Sequence, residues 1–447
     1  MQLDNRQFVI VGSGISGYSA LCYLLAQGYA VRVMDTREIA PNASEIKTLL
    51  PATAVHFGGL QQEWLEQSDV IVLSPGLSPQ EPAIAEAVAK GVTLIGDIEL
   101  FAQVCTKPYI AITGSNGKST VTTLVTELLC SQGIKAYMGG NIGTPALDLL
   151  QQKDAELYVL ELSSFQLETC PSLAPVAATV LNISDDHMDR HSSLARYSEV
   201  KDRIYHKAAY GVYAEDYPLQ PQVHQKGIVR FGVMQQEGTE FSVGLHDQQR
   251  CLMQMGESLI AADELTLPGA MGELNVLAAL ALVQPYIKDK AAMLAVLRSF
   301  KGLPHRCQSV AKHVDVLWVN DSKGTNPGAT MAAIKSFDRG MVLILGGVHK
   351  GGAIDELVEL IRHRVHSVVL FGRDAAVFAQ ALKGHACYLA SDLATAVTLS
   401  AKYSRTGDVV LFSPACASFD MFDNYQQRGD SFVQLVRKQI VGGQHAV

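Results

Sequence analysis

The chain is short of everything that would staple, anchor or globally charge it. Its eight cysteines are scattered from Cys22 to Cys416 with no Cys-x-x-Cys pair. A chain of 447 residues with so few cysteines has no disulfide framework. The cysteines are expected as buried thiols. No apolar run approaches the roughly 18 residues needed to span a bilayer. There is no internal repeat and no low-complexity tract. Positive charge is not in surplus: 36 Lys and Arg face 44 Asp and Glu, a net charge of −8. That balance excludes a global field attracting nucleic acid. An anionic ligand must be held by local devices, such as helix N-termini, loop amides, a few placed cations or metal ions. The segment Met1 to Gln7 lacks the basic start and long apolar core of a signal peptide. The expectation is a cytoplasmic protein without membrane insertion.

What is present describes a well-packed chain. Hydrophobic residues make up 48%, charged residues 18%, and the mean hydropathy is +0.13. At about 150 residues per domain the length suggests roughly three domains. Short β-branched runs alternate with helical stretches, the pattern of parallel α/β sheets. The expected blocks are 1–96, 97–302 and 303–447. In the first, Phe8 to Val11, Val31 to Met34, Asp69 to Ser74 and Val92 to Ile95 read as strands. In the second, Tyr109 to Ile112, Leu157 to Leu162 and Ala178 to Ile183 do. The stretch from about Gly211 to Leu267 reads as an antiparallel or irregular insert, followed by an apolar helix from Gly272 to Val283. In the third, Val316 to Asn320, Met341 to Leu345, Ser367 to Phe371 and Val409 to Phe412 are strands.

Two glycine loops join a strand to a helix. Gly12-x-Gly14-x-x-Gly17 is followed by the acidic Asp35 at the end of the next strand, 18 residues after Gly17. This is the dinucleotide-binding fingerprint in its expected context. Its glycines let backbone approach a pyrophosphate at a helix N-terminus. The pattern alone leaves NAD and a nucleotide-sugar diphosphate both open. The second loop is Gly114-Ser115-Asn116-Gly117-Lys118-Ser119-Thr120. Loop amides there can cradle phosphates, Lys118 can reach the β/γ region, and a hydroxyl can hold Mg²⁺. It departs from the usual P-loop spacing, which would place a glycine where Ile112 stands.

Glu161 ends a strand beside that loop and suits a Mg²⁺ ligand, direct or through water. Asp185-Asp186-His187-Met188-Asp189-Arg190-His191 follows another strand tip and reads as a site or a solvated polar loop. Lys201 is placed unusually. On a helix around Leu194 to Ala208, the residues Leu194, Tyr197, Ile204, Tyr205 and Ala208 make one apolar face. Lys201 stands four residues after Tyr197 and four before Tyr205, so it shares that face. Burial there would expose a neutral amine; snorkelling to water is the alternative.

In this order the motifs resemble the Mur ligases, the ATP-dependent enzymes that build the peptide of bacterial peptidoglycan. The carriers are Thr113 to Thr120, Glu161-Leu162-Ser163-Ser164-Phe165-Gln166, Asn182 to His191 and Gly272-x-x-Asn275. They span essentially the whole chain. Asn320 to Pro327 and Ser413 to Asp420 look like the D-glutamate-adding branch. The Asp-Asn-Pro-Arg box of the diaminopimelate-adding branch is absent. Folylpolyglutamate synthases, a sister group, begin near the ATP loop, so the first hundred residues here argue against them.

The resemblance implies three domains: an N-terminal Rossmann-like domain for a UDP substrate, a central P-loop-type ATPase domain, and a C-terminal Rossmann-like domain that takes the amino acid and closes on ATP. It implies UDP in the first glycine loop and no NAD. The implied contacts to the UDP substrate are Gly14, Ile15, Ser16, Asp35, Thr36, Arg37, Gly76 and Asn141. ATP would meet Gly114, Ser115, Asn116, Gly117, Lys118, Ser119 and Thr120, with Asn275, Arg306 and Asp321. Two Mg²⁺ ions would be held by Ser119, Thr120, Glu161, His187 and Lys201, the last carbamylated. Lys118, His187 and Lys201 would be catalytic. The D-glutamate pocket would use Thr325, Lys350, Ser418 and Tyr425, the last where phenylalanine is expected. The implied partners are UDP-N-acetylmuramoyl-L-alanine and D-glutamate, with no nucleic acid, and the protein is expected as a monomer.

Overall fold

Parallel strands must be buried on both faces, and the β-branched runs supply that burial. The computed structural model describes residues 6–184, 188–219, 221–222, 224–233, 238–349, 351 and 353–442. They fall into two compact units, Met1–Phe231 with Ala278–Asp289, and Gly232–Leu277 with Lys290–Val447.

The first unit holds two parallel sheets. The N-terminal sheet has β1 (Gln7–Val11), β2 (Ala30–Asp35), β3 (Val55–Phe57), β4 (Val70–Leu73) and β5 (Thr93–Gly96) in the order 3-2-1-4-5. Strand order reverses between β1 and β4, so the loops leaving their C-terminal ends open a crevice. The parallel strands of the next sheet are β6 (Tyr109–Thr113), β7 (Ala136–Gly140), β8 (Leu157–Glu161), β9 (Ala177–Val180), β10 (Gly211–Ala214) and β11 (Ile228–Phe231), in the order 11-10-9-6-8-7. Here β6 lies between β8 and β9, which puts the second glycine loop between two strand tips. The helix Asp97–Val104 joins the sheets through one apolar core. Its Phe101 packs edge-on against Tyr109 and Tyr158, with ring centroids 5.5 and 5.9 Å away.

The second unit contains antiparallel β12 (Phe241–His246), β13 (Gln249–Gln254) and β14 (Glu257–Ala261). Its other sheet has β15 (Gln308–His313), β16 (Val316–Asn320), β17 (Met341–Gly346), β18 (Ser367–Phe371), β19 (Cys387–Leu389) and β20 (Val409–Phe412) in the order 15-16-20-17-18-19. All pairs are parallel except the edge pair β15–β16. The helix Gly269–Val283 follows β14 in sequence.

Several readings need correcting. The insert is not wholly antiparallel, because β10 and β11 pair parallel to the central sheet. Only four of the eight cysteines are buried; Cys130 is exposed and Cys22, Cys105 and Cys387 are half-buried. The helix bearing Lys201 is α-helical over Leu194–Asp202, and the turn Arg203–Tyr205 is 3₁₀. Leu194 is 42% exposed and does not share the apolar face. No described helix is long and apolar enough to cross a membrane.

Candidate active site

The first glycine loop is held by its acidic partner. Gly12 adopts φ +96°, and a Cβ on Gly17 would overlap the Gly12 carbonyl. Asp35, at the end of β2, collects donors with both oxygens. Its Oδ2 accepts from the Ser13 amide (2.7 Å), the Ser13 hydroxyl (2.8 Å) and Arg37 Nη2 (2.8 Å). Its Oδ1 accepts from the Arg37 amide (3.0 Å) and Arg37 Nε (2.8 Å). Burial alone would raise its pKa, but the guanidinium and the amides outweigh it and hold the carboxyl far below the usual range. The loop opens on a cleft of ≈ 580 Å³. Gly14, Ile15, Ser16, Asp35, Thr36, Arg37, Gly76 and Asn141 all line it. The eight positions named for a UDP substrate therefore share one cavity.

The second loop is drawn tight around its own carbonyls. Gly114 has φ +147° and Gly117 φ +85°, and a Cβ on Gly114 would press on Leu181. Asn182, beyond β9, brackets the loop: its Oδ1 accepts from the Asn116 amide (2.9 Å) and its Nδ2 donates to the Asn116 carbonyl (3.0 Å). Lys118 Nζ donates to the carbonyls of Gly114 (2.8 Å) and Ser115 (3.0 Å). Lys201 Nζ donates to the same Gly114 carbonyl (3.0 Å) and to Thr113 Oγ1 (3.1 Å). Lys201 is only 1% exposed, so it does not snorkel. Its ammonium lies 4.7 Å from the Tyr197 ring centroid. Ser119 and Thr120 are buried in the first turn of the helix Lys118–Ser131.

Glu161 stands at the tip of β8. Its Oε1 accepts from Asn141 Nδ2 (2.7 Å), while Oε2 is buried with no hydrogen-bond partner among the described residues. Asn141 thus touches both the cleft and Glu161. An orphaned carboxylate oxygen on the strand next to β6, from which the glycine loop leaves, fits a hard cation that prefers oxygen ligands. Among the described residues no group of three or more His, Cys, Asp and Glu could hold a metal alone. His187 lies outside the described residues, as does Lys350.

The second unit carries the other named positions. Asn275 is buried on the helix Gly269–Val283. Asp321 follows β16, accepting from the Cys307 amide (3.1 Å) and the Ser413 hydroxyl (2.7 Å). Burial pushes its pKa up to about 6. Arg306 sits between His305 and Cys307, both at positive φ. Arg428 is fully buried and ties three loops together. It donates to the Ser322 hydroxyl (3.0 Å), the Ser322 carbonyl (2.8 Å) and the Cys416 carbonyl (3.0 Å). The Ser322 hydroxyl in turn donates to the Tyr425 carbonyl (2.9 Å). Thr325 follows the Ser322 loop and the buried Ser418 follows Cys416, so Arg428 holds together the segments that carry three of the named positions.

Three family models match in sequence: Mur ligase MurD-like N-terminal domain over 6–96, Mur ligase middle domain over 112–283, and Mur ligase glutamate ligase domain over 305–416. The chain belongs to the Mur ligase family. It is similar to the UDP-N-acetylmuramoylalanine--D-glutamate ligase of Pseudoalteromonas translucida, 42% identical over 97% of this chain and 98% of that one. The protein of the same name from Marinobacter nauticus is 44% identical over 97% and 98%. Among solved structures, the MurF ligase of Thermotoga maritima in complex with ADP superposes with a TM-score of 0.59 at 17% identity, covering 98% of this chain and 96% of that one. A pseudomurein peptide ligase type C from Methanothermus fervidus gives 0.57 at 16%, covering 97% and 100%. At such identities the likeness is one of fold.

Two residues of this Mur ligase escape sequence reasoning. Gln166 lines the cleft, yet nothing in its motif assigns it a role. Arg428 carries the signal that exposes Lys201: it precedes the buried Phe432 by four residues and Val436 by eight, a cation on an apolar stripe.

Proposed function

We propose that this Mur ligase adds D-glutamate to UDP-N-acetylmuramoyl-L-alanine at the expense of ATP, in peptidoglycan precursor synthesis in the cytoplasm. Geometrically the reading rests on one observation: Lys118 and Lys201 converge on the Gly114 carbonyl, at a phosphate-type loop flanked by the orphaned oxygen of Glu161. The names of its relatives supply the substrates.

A free carboxylate is a poor electrophile. Its oxygen therefore attacks the γ-phosphorus of ATP, ADP leaves, and an acyl phosphate forms. The amine of D-glutamate attacks the acyl carbon, inorganic phosphate leaves, and an amide results. Carboxylate and triphosphate repel, so positive charge must be concentrated where they meet. The amides of Gly114 to Gly117 and the ammonium of Lys118 would cradle the phosphates, releasing the loop carbonyls that Lys118 now holds. Ser119, Thr120 and Glu161 would hold one Mg²⁺, and His187 with a carbamylated Lys201 a second. Such ions neutralise the phosphates and polarise the transferred group. Carbamylation would turn this buried side chain into an oxygen ligand of the kind Mg²⁺ prefers.

The cleft at β1 and β4 would take the UDP portion through Gly14, Ile15, Ser16, Asp35, Thr36, Arg37 and Gly76, with Asn141 reaching toward the reacting end. Asn275, Arg306 and Asp321 would contact ATP. Thr325, Lys350, Ser418 and Tyr425 would receive D-glutamate. Segments 1–96, 97–302 and 303–447 would act as the three binding domains of a monomer.

The decisive measurement is phosphate release from ATP with UDP-N-acetylmuramoyl-L-alanine and a panel of amino acids. Release with D-glutamate alone is expected; release indifferent to the amino acid would overturn the reading. For the carbamate, Lys201→Ala should lose activity and regain part of it with added short carboxylic acids. A fully active Lys201→Ala protein would end that proposal.

A further inference from the structure

Beneath the nucleotide-sugar cleft lies a carboxyl group for which the proposed reaction has no use. Asp97 opens the helix Asp97–Val104, is 4% exposed and does not line the cleft. Its Oδ2 accepts from Gln166 Nε2 (3.1 Å), and its Oδ1 is buried with no hydrogen bond of ordinary geometry among the described residues. Burial raises its pKa, against the donors of Gln166, the first helix amides and Ser16. Burying a carboxyl costs stability even where donors meet it, so its retention calls for a reason.

That reason is found in Gln166. This side chain is 2% exposed, lines the cleft, and is gripped at both ends. Its Oε1 accepts from the Ser163 amide (3.1 Å), closing a capping box with Ser163. Its Nε2 meets Asp97. An amide can flip, but here the flip would set oxygen against a carboxyl oxygen and NH₂ against an N–H. Asp97 thereby fixes which end of Gln166 is which. Asp97 itself cannot drift. The amide of its neighbour Gly96 donates to the Thr169 carbonyl (3.2 Å), and any Cβ on Gly96 would overlap the Thr169 hydroxyl.

We infer that Asp97 is a positioning residue for the nucleotide-sugar substrate: it locks the Gln166 amide so that the second N–H of Nε2 stays available to acceptor oxygens of a ligand in the cleft. The inference rests on the reading of that cleft given above. A ligand rich in phosphate and sugar oxygens is what such a donor suits. Asp97 works through Gln166 and touches no reacting atom.

The test uses the full chain, with UDP-N-acetylmuramoyl-L-alanine binding followed by calorimetry and KM values measured for all three substrates. Asp97→Ala should weaken nucleotide-sugar binding about tenfold, the loss of one hydrogen bond to the ligand. KM for ATP and for D-glutamate, and kcat, should stay within about twofold. Asp97→Asn, whose amide oxygen still accepts from Gln166, should bind nearly as wild type. Gln166→Ala should match Asp97→Ala, and the double variant should be no worse than Gln166→Ala alone. Should Asp97→Ala fail to fold, Asp97→Ser keeps a polar side chain at the first helical position, is too short to reach Gln166, and carries the same expectation. Unchanged binding in the Ala or Ser variant, equal rises in KM for ATP and the nucleotide sugar, or additive losses in the double variant would overturn the inference. No binding heat from the wild-type protein would instead overturn the reading of the cleft, and this inference with it.

Discussion

The loop after β1 and the loop after β6 are built alike and charged differently. Each leaves the C-terminal end of a parallel strand flanked on both sides, and each enters a helix through glycine. The first faces an open cleft and has no lysine; its nearest charges, Asp35 and Arg37, cancel one another. The second is folded onto its own carbonyls by Lys118 and Lys201, with the orphaned Glu161 oxygen beside it. Glycines make both loops possible without deciding what they bind. A diphosphate already paired with counterions in solution needs only helix-terminal amides. A phosphoryl group in transfer needs fixed positive charge. The difference between a binding loop and a reacting loop is carried by the residues on neighbouring strand tips and helices.

The sharpest way to break that contrast is Lys118→Ala. If the second loop alone handles transferring phosphate, D-glutamate-dependent phosphate release should fall about 10²–10³-fold, as when one fixed transition-state contact is removed. UDP-substrate affinity, set by the first loop, should be unchanged in calorimetry. A parallel loss of UDP-substrate binding would show that the loops are not divided as described.

Asp35→Ala is the reverse experiment and its effect should be smaller. The variant leaves Ser13 and Arg37 without their shared acceptor. KM for the nucleotide sugar should rise about ten- to thirtyfold, the worth of charge-assisted hydrogen bonds; KM for ATP should not move. The sign of the pH dependence follows from the depressed carboxyl. A carboxyl whose folded pKa lies below its unfolded value of about 3.9 contributes stability fully above that value and loses it as pH falls toward the folded pKa. The wild type should therefore be more stable than Asp35→Ala at pH 7, and thermal melts should show the gap closing below about pH 3.

How much of the contrast is legible in the sequence depends on the kind of signal. Strands β1, β6, β8 and β16 are legible because both faces are buried and the apolar run is unbroken, while β2 is legible from Val31, Val33 and Met34 on either side of Arg32. β7 is not: Ala136–Gly140 ends in two glycines, and a Cβ at Gly140 would overlap the Glu161 carbonyl, so packing of backbone on backbone replaces the side-chain pattern. The edge strand β15, Gln308–His313, has polar residues and one covered face, and its antiparallel pairing leaves no α/β signature. The short β3 and β19 lack fully buried runs. At the site, Lys201 is visible as a charge on an apolar face. Arg428 offers the same cue, but no glycine loop or strand tip nearby in sequence draws attention to it. Gln166 and Asp97 give none, because a glutamine fixed by a carboxyl 69 residues away is a tertiary fact.

Two glycines of the first loop provide the finest test of what glycine contributes there. Gly17 is enclosed: a Cβ would overlap the Gly12 carbonyl and lie 2.9 Å from the Ser74 hydroxyl. A methyl placed on Gly14 would meet nothing within 4 Å, and its φ is an ordinary −65°, yet Gly14 lines the cleft. Gly17→Ala should therefore destabilise the fold by about 1–3 kcal/mol, the usual range for overpacking. Gly14→Ala should change stability by less than about 0.5 kcal/mol, as for a substitution that meets no packed feature. Its added methyl would instead stand where a bound diphosphate has to approach backbone, so the smallest change in melting temperature should accompany a measurable rise in KM for the nucleotide sugar. If Gly14→Ala left that KM untouched, the first loop would need its glycines only to turn the chain, and its likeness to the second loop would be one of shape without shared use.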